Sequence, residues 1–273
     1  HIAARVVKQT DPSIVVVLGG VYATMNIEEV IRDTHFDYIV RGEGEEVFPA
    51  LLAHLNGRGP MPAAGVSFRD NGRTILTAHA PFIRDLDALP LPDYRRIDFL
   101  RYAGSASRLG VDAPRALPHA RLFTSRGCPV GCAFCQAPTM AGKRFRGRSP
   151  ENVLAEIQWL KDTYGVRFLT FDDDNLLQDH ARARAIFQGM IRRKMDLPWN
   201  MIGTAVFHLD DELLELMRAS GRSYVEPRRA TDGAWLTPSP STNRPGHASP
   251  SAMAPLAAAL ESRAHMLAMP VTA

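Results

Sequence analysis

The apolar positions of this chain fall into short β-branched runs separated by stretches of helical period. Ile14–Leu18 is the first run, closed by Gly19-Gly20, and its unbroken apolar character predicts a strand buried on both faces of a parallel sheet. Ahead of it the chain opens inside an amphipathic helix. A helix over roughly Asn26–Asp33 follows, anchored by Val30 and Ile31, with Glu28 and Glu29 in its first turns where the helix dipole favours negative charge. A short strand, Tyr38–Arg41, leads through Gly42-Glu43-Gly44-Glu45 into a helix carrying Val47, Phe48, Leu51, Leu52 and Leu55. Strand, helix, strand, helix is part of a doubly wound α/β domain.

Gly65–Arg69 and Arg73–Thr77 flank Asp70-Asn71-Gly72, a turn signal that predicts a hairpin. Asp85–Pro92, with Pro90 and Pro92, reads as an extended connector. A second α/β series begins with a strand at Arg121–Ser125. Ser149-Pro150-Glu151 starts a helix whose apolar face is Val153, Ile157, Leu160 and Tyr164 and which Gly165 stops. A strand at Arg167–Phe171, a helix at Ala181–Lys194, a strand near Trp199–Thr204 and a helix at Asp211–Ser220 complete three βα units, the repeat of a parallel barrel or open sheet. Tyr224-Val225 reads as the start of a fourth strand. After about Glu226 the periodicity is lost in a Pro/Ser-rich and then Ala/Met-rich tail, expected to be disordered or weakly helical. The expected division is 1–60, 61–120 (hairpin and linker), 121–226 and 227–273. With His1 in first place, the chain reads as a fragment, its tail standing where a frame change or fusion replaced the natural continuation.

Composition adds little. The 273 residues are 45% hydrophobic and 22% charged with a net charge of +3, a globular balance too mild to argue for nucleic acid as main partner. There is no apolar run of about eighteen residues or more and no leader pattern, so the expected place is the cytoplasm, away from membranes. The cysteines change the picture: all three, Cys128, Cys132 and Cys135, fall in one loop. An odd, crowded set suits a metal site in a reducing compartment and not a disulfide framework.

The loop reads Ser125-Arg126-Gly127-Cys128-Pro129-Val130-Gly131-Cys132-Ala133-Phe134-Cys135, a C-x3-C-x2-C spacing after a strand and before a helix. Three thiolates from one loop can hold three corners of a cubane and leave its fourth iron without a protein ligand. Gly127 and Gly131 let the backbone wrap closely. The other reading of the residues alone is a structural zinc site with His119 as fourth ligand, or an electron-transfer cluster with a distant fourth ligand.

This motif resembles that of the radical SAM superfamily. The resemblance implies that Cys128, Cys132 and Cys135 hold a [4Fe–4S] cluster whose open iron takes S-adenosylmethionine (SAM). One electron then breaks the sulfonium C–S bond to a 5′-deoxyadenosyl radical. Phe134 matches the aromatic the family carries before its third cysteine. Asp173 and Asp174, at the end of the second barrel strand, match an Asp-Asp pair near SAM or substrate in some members, the alternative being a solvated loop or helix cap. Asn200 and Thr204 are weaker candidates for the same cavity. The basic run Lys143–Arg148 reads first as a solvated face, with an RNA or phosphate contact as its alternative.

The order Val15–Thr24 then Asp37–Glu45 resembles the second half of the cobalamin-binding domain found before many radical SAM barrels, with Gly19 and Gly20 where that family's paired glycines approach the cofactor's nucleotide tail. The family's upstream Asp-x-His-x-x-Gly segment has no counterpart here, and neither His35 nor His54 stands in such a context. The fold implied is α/β: a partial Rossmann-like cobalamin-binding domain followed by a partial radical SAM (β/α) barrel. The function implied is a radical SAM enzyme using a [4Fe–4S] cluster, SAM and cobalamin for methyl transfer or radical rearrangement of a natural product or tetrapyrrole. A small-molecule substrate and an electron donor such as flavodoxin or ferredoxin would be its partners. The alternatives are a methylthiotransferase-like protein acting on RNA or protein, which a second cysteine cluster would favour, and a non-catalytic iron–sulfur or zinc-binding fragment.

Overall fold

A computed structural model describes residues 1–103, 117–203, 205 and 208–221. Thr204, the strand start at Tyr224-Val225 and the 227–273 tail lie outside the described residues. In chain order the elements are α1 (Ile2–Thr10), β1 (Val17–Leu18), α2 (Val21–Met25), α3 (Ile27–Val30), β2 (Tyr38–Val40), α4 (Gly44–Leu55), β3 (Val66–Asp70) and β4 (Arg73–Ile75). They continue with α5 (Phe99–Ala103), β5 (His119–Leu122), β6 (Ser125–Arg126), α6 (Ala137–Ala141), β7 (Arg146–Gly147) and α7 (Pro150–Tyr164). The last are β8 (Phe168–Phe171), α8 (His180–Arg192), β9 (Trp199–Met201) and α9 (Asp211–Ala219). They form two compact units.

The first unit comprises residues 1–92, 123–149 and 173–178. Its sheet has the order β1-β2-β3-β4, with β1 parallel to β2 and the β3–β4 hairpin added antiparallel to β2. The hairpin therefore extends the front sheet, its turn made by Asn71 and Gly72 at φ of 47° and 78°. Strand β1 is shorter than the apolar run predicts. Ile14 and Val15 are exposed and lie outside the strand, and Lys8 Nζ donates to the Ile14 carbonyl at 2.7 Å. The helix expected over Asn26–Asp33 is present but shorter, as α3 (Ile27–Val30) with Asn26 at its N-terminal boundary, and a further helix, α2, begins directly after Gly20 and ends at Asn26 (φ −122°, ψ 40°). A second two-stranded piece, β6 antiparallel to β7, closes the neck of the segment 127–145.

The second unit comprises 93–122, 150–172 and 179 onward. Its sheet, in the order β5-β8-β9, is wholly parallel, with α7 joining β5-side chain to β8 and α8 joining β8 to β9. All four residues of β8 are buried, as a central parallel strand requires. Trp199 stacks on Phe187 (ring centroids 4.9 Å apart, 10° between planes) and meets Phe171 edge-on at 5.1 Å. Each such ring contributes about 2 kcal/mol or more by leaving water. Helix α7 crosses α8 closely at Gly189, where a Cβ would stand 2.2 Å from Leu154 Cδ1. Gly165 ends α7 at φ 62°, as the sequence predicts, and the side chains of Asp179 and Asp210 accept from the first turns of α8 and α9.

Candidate functional site

The cysteine loop begins at a glycine whose site leaves no room for a side chain. Gly127 has φ 82°, and a Cβ there would lie 2.3 Å from the Arg144 carbonyl oxygen, so the two ends of the 127–145 segment pass in contact. Cys128 N donates to the Gly142 carbonyl at 3.3 Å and ties the first cysteine to the returning chain. Cys135 N donates to the Cys132 carbonyl at 3.0 Å, a turn that sets those two side chains on one short arc, and Ala137 N donates to Cys135 Sγ at 3.4 Å. All three are free thiols, Cys128 half-buried and the other two exposed. Asn175 Nδ2, buried, lies 3.9 Å from Cys128 Sγ and 3.0 Å from Gln178 Oε1.

Among the described residues no three His, Cys, Asp or Glu side chains are grouped to hold a single metal ion. A cubane takes each thiolate on a different iron, so its ligands need not converge on one point, and three free thiols on one glycine-wrapped loop are a donor set that fits it. His119, the fourth ligand of the zinc reading, is engaged elsewhere. It is buried in the second unit's sheet with Nε2 2.9 Å from Thr170 Oγ1. Burial pushes its pKa down, the Arg121 charge adds to that, and Asp172 opposes both.

Asp173 and Asp174 part company. Asp173 is buried, and its Oδ1 accepts from Thr124 N at 3.1 Å, from Thr124 Oγ1 at 2.9 Å and from the Ser125 hydroxyl. It thereby holds the two residues that lead into Arg126-Gly127-Cys128. Asp174 is exposed and lines a cavity of about 890 Å³. The same cavity is lined by Gly19, Gly20, Gly42, Phe48 and, from the neck of the cysteine loop, Ser125 and Arg126. Gly20 stands at φ 90°, and a Cβ built on it would meet nothing within 4 Å, so its backbone is presented to open space. Thr24 ties the two glycine turns together. Its hydroxyl donates to the Gly20 carbonyl and accepts from Gly42 N, both at 2.9 Å. Phe134 is 83% exposed and is not among the cavity's lining residues.

Asn200 lies on β9 of the second unit, buried, with neither amide atom hydrogen-bonded among the described residues. A buried amide left this way costs about 1–3 kcal/mol. The basic run is not a solvated face throughout. Arg146 is buried, its guanidinium donating to Glu43, to the Ile83 carbonyl at 2.6 Å and to the Ala141 carbonyl at 2.8 Å, over the Phe82 ring. Glu43 was not legible as a site residue: its partners are far away in sequence, and only the repeated Gly-Glu of 42–45 hinted at it.

Residues 122–227 match the family model of the radical SAM superfamily. The chain is 30% identical over 223 residues to the uncharacterized methyltransferase PH0819 of Pyrococcus horikoshii, covering 81% of this chain and 46% of that protein. It is 31% identical over 230 residues to the anaerobic magnesium-protoporphyrin IX monomethyl ester cyclase of Cereibacter sphaeroides, covering 81% of this chain and 36% of that protein. Its fold is similar to that of the cobalamin-dependent S-adenosylmethionine radical enzyme OxsB, solved with aqua-cobalamin and S-adenosylmethionine bound (TM-score 0.61, 17% identity, 81% of this chain and 32% of that one). The chain thus spans less than half the length of each of these relatives.

Proposed function

We propose that this chain, a member of the radical SAM superfamily through residues 122–227, is the part of a cobalamin-associated radical SAM enzyme that binds the [4Fe–4S] cluster and one face of the cobalamin. The reaction proposed is methyl transfer or radical rearrangement on a natural product or tetrapyrrole, with a cytoplasmic setting and a flavodoxin- or ferredoxin-type electron donor. No described helix is long and apolar enough to cross a membrane. The observation that carries the reading is that the glycine turns of the front sheet and the neck of the cysteine loop line one cavity within one compact unit.

In this reading Cys128, Cys132 and Cys135 hold the cluster, which when bound supplies the electron that cleaves SAM. The remaining roles belong to the chain. Gly19 and Gly20 offer bare backbone to a large ligand, whose approach a side chain would block. Asp174 adds a carboxylate on the cavity wall that can accept hydrogen bonds from that ligand, from SAM or from substrate. Asp173 acts on Thr124 and Ser125, so its part is to position the cysteine loop. Phe134, exposed in the structure, would shield the cluster from water only when a ligand or further chain covers it. The relatives named as a methyltransferase and a cyclase support this chemistry. The chain's three cysteines include no second cluster set of the kind a methylthiotransferase-like reading favours.

The test is anaerobic reconstitution with iron and sulfide, followed by iron, sulfide and zinc analysis. The expected result is close to four irons and four sulfides per chain with cobalamin retained on gel filtration. Stoichiometric zinc with no sulfide would replace the cluster reading by the structural-zinc one.

A further inference from the structure

The cysteine loop leaves and returns through a two-residue ladder in which two arginines face each other. In the β6–β7 register Arg126 stands directly opposite Arg146, with the whole 127–145 loop beyond them. Like charges opposite one another in an antiparallel pair repel. Here they are bridged by a carboxylate from elsewhere in the same unit. Glu43 Oε1 lies 3.1 Å from Arg126 and 2.8 Å from Arg146, while its Oε2 accepts from Arg146 at 2.9 Å and from Ile83 N at 2.7 Å.

Arg146 is buried and Glu43 half-buried, their side chains only 6% and 9% exposed, so this contact is little screened by solvent. Burial alone would raise the Glu43 pKa, but Arg146, the Ile83 N–H and Arg126 together hold it below the ordinary carboxylate value. Glu45 at 2.5 Å from Arg126 is a second, more exposed partner and reaches only one of the two arginines. The backbone that carries Glu43 is itself fixed, since Gly42 N is held by Thr24 and through it by the Gly20 turn.

We infer that Glu43 is a positioning residue for the cysteine loop: the front sheet supplies the counter-ion that clamps the loop's neck, and so sets how Cys128 is presented two residues beyond Arg126. The inference rests on the proposed cluster function only for its readout. A neck of two ladder residues with unbridged arginines would splay, and the Cys128 end of the loop would lose its fixed place relative to the Cys132–Cys135 turn. The consequence is that the half of the chain without cysteines governs the cysteines.

The experiment compares the full chain with Glu43→Gln and Glu43→Asp after anaerobic reconstitution. Cluster loss to a ferrous chelator is timed, and the EPR spectrum of the reduced cluster is recorded with and without SAM. Losing a charged hydrogen-bonding partner at a buried site is expected to speed cluster loss in Glu43→Gln by about tenfold or more and to blunt the SAM-induced change. Glu43→Asp, which keeps the charge, is expected to recover most of both. If Glu43→Gln fails to fold by circular dichroism, Glu43→Asp against wild type gives the reading, an intermediate loss rate supporting the inference. Wild-type loss rates and spectra in both variants overturn it. If the wild-type chain assembles no cluster, the cluster reading fails and this inference is read from Cys128 alone. In a Cys132→Ser, Cys135→Ser background, Glu43→Gln should change its iodoacetamide rate severalfold, and an unchanged rate would overturn it.

Discussion

Asp173 holds Thr124 twice through one oxygen, accepting its backbone N–H at 3.1 Å and its hydroxyl at 2.9 Å. The strand end thus pins the residue four places before the first cysteine, and the carboxylate is buried while it does so. Removing it leaves buried donors on Thr124 and Ser125 without their acceptor. Asp173→Ala should therefore lower stability by about 2–4 kcal/mol in urea unfolding, with Asp173→Asn milder because its amide oxygen can still accept. Asp174→Asn, exposed on the cavity wall, should leave stability within about 0.5 kcal/mol and weaken ligand retention instead. Equal stability losses in the two would contradict the division of roles.

Gly127→Ala should abolish cluster assembly. Its Cβ would overlap the Arg144 carbonyl at 2.3 Å, and the left-handed backbone itself costs about 1–2 kcal/mol for a side-chain residue. Gly131→Ala, at φ 71° but with its nearest neighbour, the Pro129 carbonyl, 3.9 Å away, should keep a reduced cluster content. Iron and sulfide analysis distinguishes them.

His119 gives a pH dependence. Burial, with Arg121 nearby, holds its folded pKa below its unfolded value of about 6.5, so the unfolded chain binds a proton that the folded chain refuses. The stability its neutral form contributes is complete above about pH 6.5 and is lost as pH falls through that value toward the folded pKa. Urea unfolding of the apo chain between pH 5 and 8 should show this slope, to which His79 and His208, also lowered by burial, add, and His119→Gln should reduce it. An unchanged slope would reject the assignment.

Asn200→Leu should leave the apo chain as stable or stabilise it by about 1–2 kcal/mol, since both amide atoms are buried without hydrogen bonds among the described residues. Urea unfolding of the apo variant checks this, and a clearly destabilised variant would contradict it.

Much of the second unit was legible in the sequence because its signals are local. The Ser149-Pro150-Glu151 start and the Gly165 stop act within a few residues, and β8 was read as a strand from its own short segment. The cysteine loop was legible for the same reason. What escaped was set by partners distant along the chain. Strand β7 is two residues long and exists because it faces β6, and Arg146 looked like one of a run of surface charges until Glu43 and Ile83 enclosed it. The helix ahead of Asn26 and the shortness of β1 were likewise not encoded in the hydrophobic period. Asp173 and Asp174 carry the same side chain and were inseparable in sequence, while burial makes one a strut and the other a wall.

The central claim is that this loop holds a SAM-binding cluster. Its most direct test is the EPR spectrum of the anaerobically reconstituted, reduced chain with and without SAM, alongside a Cys132→Ala variant. The account predicts a [4Fe–4S] signal that changes on adding SAM, 5′-deoxyadenosine released under reduction, and neither in Cys132→Ala. A cluster signal of full intensity in Cys132→Ala, or a wild-type signal indifferent to SAM, would contradict it.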